Sequence, residues 1–121
     1  MKNNFEDSTV MMKQRDHEIL AVEKKREKQI QKEMGVLLKK IRVRQGIEIK
    51  VLAEKKTFAI STLYNNEDGT AFPTDTMLKK LLSVYQLTEE EKQKIYTLRS
   101  EIKTIRSERK KRNQKKRYAW G

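Results

Sequence analysis

The sequence predicts an all-α protein, and three observations carry the prediction. Apolar residues recur at three- and four-residue spacings in successive stretches, which is the pattern of helices that bury one face. Gly46 and Gly69 stand where two of these patterns end, and glycine tolerates the left-handed conformation that ends helices. Between them lie two short helix patterns separated only by a tight turn at Thr57-Phe58. We therefore expect a five-helix domain with helical extensions at both ends.

Residues 1–33 are predicted to form a polar helical extension. Asp7 or Ser8 is placed to cap a helix that runs through the thirties. The apolar stripe along this helix is thin, because the polar run EKKREKQ at 23–29 interrupts it. Two interpretations stay open: a solvated extension that is helical in part, or an arm that packs on a partner helix. His17, the single histidine, is predicted to be exposed and not a metal ligand.

The domain itself is predicted over residues 34–87. Its first helix ends at Gly46, a second precedes Thr57, a third covers 59–67, and a fourth starts at Pro73 and Thr74. The residues predicted to face inward are Leu37, Leu38, Ile41, Ile49, Leu52, Ala53, Ala59, Leu63, Asn66, Met77, Leu78, Leu81, Leu82 and Tyr85.

The third helix carries the pattern that points to a function. Its other face presents Ser61, Thr62, Tyr64 and Asn65, which are hydrogen-bonding side chains with no carboxylate among them. Two short helices at a tight turn, the second with a polar exposed face, have the shape that fits a major groove. This stretch therefore predicts a protein that reads DNA.

A further helix is predicted over residues 88–105. Thr88 and Glu91 form a capping-box signature, and acidic residues in the first turn suit the positive end of the helix dipole. A heptad stripe two repeats long follows, which is too short to hold a coiled coil alone. We expect it to pair with its copy in a second subunit, and the alternative is that it folds back on its own domain. The stripe consists of Ile95, Leu98, Ile102 and Ile105.

Residues 106–121 form a basic tail. Within 106–117, eight residues are basic and one is acidic. Beside a DNA-reading domain, such a run is expected to contact phosphates, and the other interpretation is a solvated tail. The aromatic Tyr118 and Trp120 near the end are assigned no role. The tail residues predicted to contact the DNA backbone are Arg109, Lys110, Lys111, Arg112, Lys115, Lys116 and Arg117.

Charge and composition narrow the classes of function. The net charge of +12 on 121 residues predicts a polyanionic partner, nucleic acid before a membrane surface. The absence of cysteine excludes a disulfide framework and a thiolate zinc site, and favours a reducing cytoplasm. No apolar run has the length of a signal peptide or a spanning helix. We predict no catalytic site, no metal and no cofactor.

Residues 34–87 contain short pieces in a distinctive order: LKKIR at 38–42, QGI at 45–47, LAEK at 52–55, STL at 61–63, EDG at 67–69, Pro73 and LKKL at 78–81. In order and spacing they resemble the helix-turn-helix domain of the phage Cro and repressor proteins, whose bacterial relatives are the XRE-type regulators. The resemblance covers a little under half of the chain. It implies a lambda-repressor-like domain whose third helix enters the major groove.

The resemblance also implies roles for single residues. Arg42 matches an arginine that pairs with the glutamate at Glu67 and ties the first helix to the end of the third. Thr62 and Thr70 match positions that contact the sugar-phosphate backbone. The positions that contact bases correspond to Ile60, Ser61, Tyr64 and Asn65.

Three positions depart from the family pattern. Ile49 stands where a phosphate-contacting glutamine is common, which removes one backbone contact. Thr57 replaces a usual turn glycine, and Asn66 replaces a usual apolar core residue. We expect a slightly altered turn and core.

The expected function is regulation of transcription, as a repressor that binds an inverted repeat of double-stranded DNA as a homodimer. One alternative is an accessory DNA-binding protein of a plasmid or other mobile element, acting at origin or transfer DNA. Another is an antitoxin-like interaction protein whose helical arms engage a protein partner. Neither an enzymatic activity nor a membrane association is expected.

Overall fold

The protein is all-helical over the residues that the structure, a computed structural model, describes: the backbone of 4–120 and the side chains of 15–115. The five helices of this range are α1 (Asn4–Arg44), α2 (Ile49–Lys56), α3 (Ile60–Asp68), α4 (Asp75–Val84) and α5 (Glu89–Trp120). None of them is long and apolar enough to cross a membrane. The all-α prediction is confirmed.

The N-terminal extension and the first helix of the predicted domain are one continuous helix. α1 runs from Asn4 through Met34 to Arg44, so the expected boundary at residue 34 is absent. The extension is not only a solvated arm, because Glu23 and Ile30 are buried within the chain. Its inward positions mix charged and apolar residues, and for this reason the apolar stripe looked thin in the sequence.

The C-terminal helix folds back along α1. Arg44 near the end of α1 pairs with Glu91 at the start of α5, whereas Glu23, far upstream, pairs with Arg112. The two helices therefore run antiparallel. The two helices lie side by side as far as Glu23 and Arg112. α5 continues without a break from Glu89 to Trp120, so the predicted separation of 88–105 from the basic tail has no counterpart in a helix boundary.

The heptad stripe of α5 is covered within the chain. Ile95, Leu98 and Ile102 are buried in the same core as Ile30 and Met34, and Ile105 is partly buried against it. The alternative of a fold-back on its own domain is therefore what the structure shows. The first expectation for this stripe, pairing with a second subunit, is corrected for the three buried residues, since α1 already covers them.

The core gathers apolar residues from all five helices. Leu38, Ile41, Leu52, Leu63 and Leu81 are almost completely buried. Asn66 is also buried, and its Nδ2 donates to Met77 Sδ at 3.0 Å. One inward prediction was wrong: Ala59 is exposed, because it is the N-cap of α3 and not part of its first turn. The core fixes α3 through one face and leaves its other face to solvent.

The expected cap of the first helix at Asp7 or Ser8 is wrong, because α1 begins at Asn4 and both residues lie inside it. The signals at three later helix ends act as the sequence predicts. Thr74 Oγ1 accepts from the Met77 amide at 3.2 Å and caps α4. At the start of α5 the capping box is confirmed: Glu91 N donates to Thr88 Oγ1 at 3.2 Å, and Thr88 N donates to Glu91 Oε1 at 3.0 Å. Gly69 ends α3 in the left-handed conformation, at φ 83°. Caps of this kind are readable because they depend only on neighbours in sequence.

The turn between α2 and α3 contains an unusual backbone conformation. Thr57 has φ 59° and ψ 41°, a left-handed conformation that a β-branched residue rarely adopts. It is the same position at which the sequence departs from the usual turn glycine. Its amide donates to Ala53 O and closes the turn. The turn is thus formed at a conformational cost.

Replacing Thr57 with glycine should stabilise the protein. A left-handed non-glycine residue costs about 1–3 kcal/mol, and glycine removes most of that cost while adding freedom to the unfolded chain. We expect Thr57→Gly to raise the free energy of unfolding by about 1 kcal/mol, measured by urea denaturation. Thr57→Ala, which keeps the Cβ, should gain much less. A Thr57→Gly protein less stable than the wild type would contradict the strain argument.

Candidate nucleic-acid interface

The outward face of α3 carries the side chains that the sequence assigned to DNA. Ser61, Thr62 and Asn65 are exposed, and Ile60 and Tyr64 keep 37% and 52% of their surface accessible. On the opposite face, Leu63 and Asn66 are buried and each is only 2% exposed. The four predicted base-contacting residues therefore share one accessible surface. That surface is uncharged and rich in hydrogen-bonding groups.

The end of α3 is tied to α1 by an ion pair. Arg42 donates from Nε to Glu67 Oε2 at 2.6 Å and from Nη2 to Oε1 at 2.9 Å. Its Nη1 also donates to Ile47 O at 2.8 Å, so the same guanidinium binds the loop before α2. The side chains are only 13% and 9% exposed. The hydrogen bonds to Glu67 raise the pKa of Arg42, against the opposing effect of burial.

Backbone contact reinforces this attachment. A Cβ built on Gly35 would lie 2.4 Å from Glu67 O and 2.7 Å from Asn66 O, so α1 and α3 approach each other at a position where no side chain fits. A second close approach lies about one turn before Gly35 on α1, where a Cβ on Gly69 would lie 2.9 Å from Lys32 Cα. α3 is consequently held rigidly at its C-terminal end. Its N-terminal turns project the predicted base contacts.

The two carboxylates at the end of α3 are both engaged. Glu67 bonds Arg42, and Asp68 accepts from the hydroxyl of Thr70 and, at 2.9 Å, from its amide. These bonds, that of the hydroxyl above all, lower the pKa of Asp68. Thr70 is exposed, but the single hydrogen of its hydroxyl is donated to Asp68, so the predicted contact with a phosphate oxygen would require that hydrogen to leave Asp68.

The three arginines of the basic tail whose side chains the structure describes, Arg106, Arg109 and Arg112, are not free cations. Arg112 pairs with Glu23, from Nη1 to Oε2 at 2.9 Å and also from Nη2 to Oε1, while Arg109 pairs with Glu27. Arg106 lies 3.6 Å from Glu27 Oε2. We call these five residues the arginine–glutamate clasp. Glu23 and Glu27 are only 10% and 13% exposed, so the clasp is largely shielded from solvent and holds α5 against α1. It also neutralises Arg109 and Arg112, which were predicted to contact phosphates.

The clasp was not expected from the sequence. The bonded pairs Glu27–Arg109 and Glu23–Arg112 are 82 and 89 residues apart in sequence. Both segments lie outside residues 34–87, where the chain resembles the Cro and repressor proteins. The one available signal was the placement of Glu23 and Glu27 four residues apart in an otherwise basic run. The bond from Arg112, followed by the charges of Arg112 and Arg109, lowers the pKa of Glu23 despite its burial.

The remaining predicted contacts of the tail are placed unevenly. Lys110, Lys111 and Lys115 are exposed on α5, so their contact with phosphates stays a prediction. Lys116 and Arg117, like Tyr118 and Trp120, lie outside the described side chains. His17 is exposed, and the described residues hold no group of three potential ligands placed to bind a metal ion.

Comparisons with known proteins add no relative. No protein-family model, no curated protein and no solved structure matches this chain. The resemblance of residues 34–87 to Cro and repressor proteins therefore stays a prediction from the sequence.

Proposed function

We propose that this chain is a sequence-specific binder of double-stranded DNA that regulates transcription as a repressor, with a lambda-repressor-like helix-turn-helix domain. The observation that carries the proposal is the outward face of α3. It presents an accessible, uncharged hydrogen-bonding surface on a short helix whose other side is locked into the core. A helix about 10–12 Å across matches the width of the major groove, about 12 Å.

The chemistry of the exposed residues fits base edges. Asn65 has an amide that can bond an adenine at two atoms, and Ser61 can donate or accept a single bond. Ile60 offers an apolar contact to a thymine methyl group. Tyr64, 52% exposed, reaches from the same face toward a base or a phosphate. None of these groups repels a phosphate, and the chain's net charge of +12 attracts one.

The anchoring of α3 supports a role that needs precision. Base contacts discriminate only when the side chains are held in register with the groove. Arg42, Gly35 and Gly69 fix the C-terminal end of α3 through side-chain and backbone contacts. A surface helix without such a function would gain little from this arrangement.

Selection of duplexes from a random pool tests the proposal. The full-length protein should enrich one sequence motif, and a dimer should enrich an inverted repeat with half-sites about 34 Å apart. A single half-site would indicate a monomeric reader. Binding without any enriched motif would contradict sequence-specific recognition. Genome-wide recovery of bound DNA then places the sites at promoters, as proposed, or at origin or transfer DNA.

Asn65→Ala should weaken binding to the selected duplex specifically. Loss of a two-bond contact to adenine costs about 1–3 kcal/mol, whereas random duplexes should be bound almost as before. Fluorescence anisotropy at fixed salt measures both affinities. Asn113→Ala, the same change at an exposed position of α5, is the matched control and should alter neither. Equal losses on selected and random DNA would show that this face does not read bases.

A further inference from the structure

Three lysines form a row on α1 upstream of the short helices. Lys24, Lys28 and Lys32 follow each other at four-residue spacing, so they lie on neighbouring turns of one side of the helix. All three are exposed. None takes part in the ion pairs found among residues 15–115, in contrast to the arginines of α5. We call these residues the lysine row.

The lysine row lies on the side of α1 that contacts α3. Gly35 marks that side, because its Cα approaches the last carbonyls of α3. Lys28 and Lys24 precede Gly35 by seven and eleven residues, about two and three complete turns, and therefore share its direction. Lys32 lies directly against Gly69 at the end of α3. The row thus continues outward from the C-terminal end of α3.

Charges are segregated around this part of α1. Glu23 and Glu27 are turned toward α5, where the clasp holds them. Glu33 interacts electrostatically with Arg26, which itself bonds Glu101 on the far side. None of these carboxylates forms an ion pair with Lys24, Lys28 or Lys32. Like charges at four-residue spacing repel each other, so a helix that is merely solvated gains nothing from this arrangement.

We propose that the lysine row binds the phosphates of duplex DNA beside the groove that α3 enters. The inference rests on the proposed function and adds a second, sequence-independent contact surface to it. With a rise of about 1.5 Å per residue, Lys28 and Lys24 lie roughly 10 and 16 Å along α1 from Gly35. A major groove about 12 Å wide has a phosphate backbone at each edge, so the row has the reach to meet one.

The test is the salt dependence of DNA binding by Lys24→Gln/Lys28→Gln in the full-length protein. Lys32 is left unchanged because its stem packs against Gly69. Each lost phosphate contact should reduce the slope of log affinity against log salt by about 0.9, so the double variant should lose about 1.8. The loss should be the same on the selected duplex and on a random duplex, since phosphates carry no base information.

The matched control is Lys40→Gln/Lys94→Gln, which removes the same charge elsewhere. Lys40 follows Gly35 by about one and a half turns and so faces away from α3. Lys94 precedes Glu101 by about two turns and therefore lies on the side of α5 that meets Arg26. Arg26 is about two and a half turns from Gly35, which places it on the side of α1 opposite α3. Both lysines are exposed. This variant should keep the wild-type slope.

The outcomes separate the two proposals. A smaller slope for Lys24→Gln/Lys28→Gln alone supports the lysine row. Equal slopes in the two double variants would overturn it, even if Asn65→Ala still loses site preference and the proposed function stands. A wild-type protein that binds no duplex would overturn both. Thermal unfolding of each variant verifies that a changed slope does not reflect a changed fold.

Discussion

Replacing Arg42 with alanine should lower the free energy of unfolding by about 3 kcal/mol, because it leaves the Glu67 carboxylate mostly buried without its partner. The guanidinium makes two bonds to that carboxylate and a third to Ile47 O, so its loss also releases the loop before α2. Glu67→Ala should cost a similar amount for the same reason. Urea denaturation followed by far-ultraviolet circular dichroism measures both losses.

The double variant Arg42→Ala/Glu67→Ala decides whether the two residues act as a pair. With both charges removed, no buried ion is left uncompensated, and the total loss should be clearly smaller than the sum of the single losses. Asp75 and Arg99 provide the matched control, since their pair is 54% and 32% exposed. Arg99→Ala should cost much less than Arg42→Ala, because solvent screens an exposed pair. Additive losses at Arg42 and Glu67 would refute the pairing.

The parts of the fold that the sequence predicted are those with local causes. α3 was expected over 59–67 and is found at Ile60–Asp68, because the left-handed residues Thr57 and Gly69 limit it on either side. The capping residues Thr74 and Thr88 act on amides three positions away. Interactions over such short separations leave a readable pattern. The exposed face of α3 followed from the same periodicity.

The parts that were missed depend on contacts between distant segments. A thin apolar stripe on a charged helix fits its own chain or a second copy equally well, so Ile95 and Ile102 did not reveal which one covers them. The difference lies in the clasp, where Glu23 and Glu27 bond arginines that follow them by 89 and 82 residues. Neither a charge count nor a helical period reports such a match. The continuity of α1 was hidden for the same reason.

The role of Gly35 is likewise not predictable from the periodicity of the sequence. Glycine inside a helix is ordinarily unfavourable, by about 1 kcal/mol relative to alanine. Glycine is required at position 35 because the carbonyls of Asn66 and Glu67 in α3 occupy the space that a Cβ would need. Glycine at this position allows the backbones of α1 and α3 to approach. The position of the proposed reading helix therefore depends on a missing side chain.

Gly35→Ala should destabilise the protein by about 2–3 kcal/mol although alanine is the better helix former. A Cβ at 2.4 Å from a backbone oxygen cannot be relieved by rotating a side chain, so the end of α3 must move away from α1. Forced overpacking of this kind costs about 1–3 kcal/mol or somewhat more. The displacement should also stretch the Arg42–Glu67 bonds. We expect weaker binding to the selected duplex together with a lower melting temperature.

Gly46→Ala separates steric conflict from backbone conformation. Gly46 has φ 69°, but a Cβ there would meet no atom within 4 Å, so alanine should cost only about 1 kcal/mol for the left-handed conformation. Gly35 is the reverse case, with helical backbone and no space. A larger loss for Gly35→Ala than for Gly46→Ala, accompanied by lost DNA affinity only in the former, would show that contact with α1 positions α3. If Gly35→Ala is instead more stable than the wild type, helix propensity outweighs the contact and α3 is not held there.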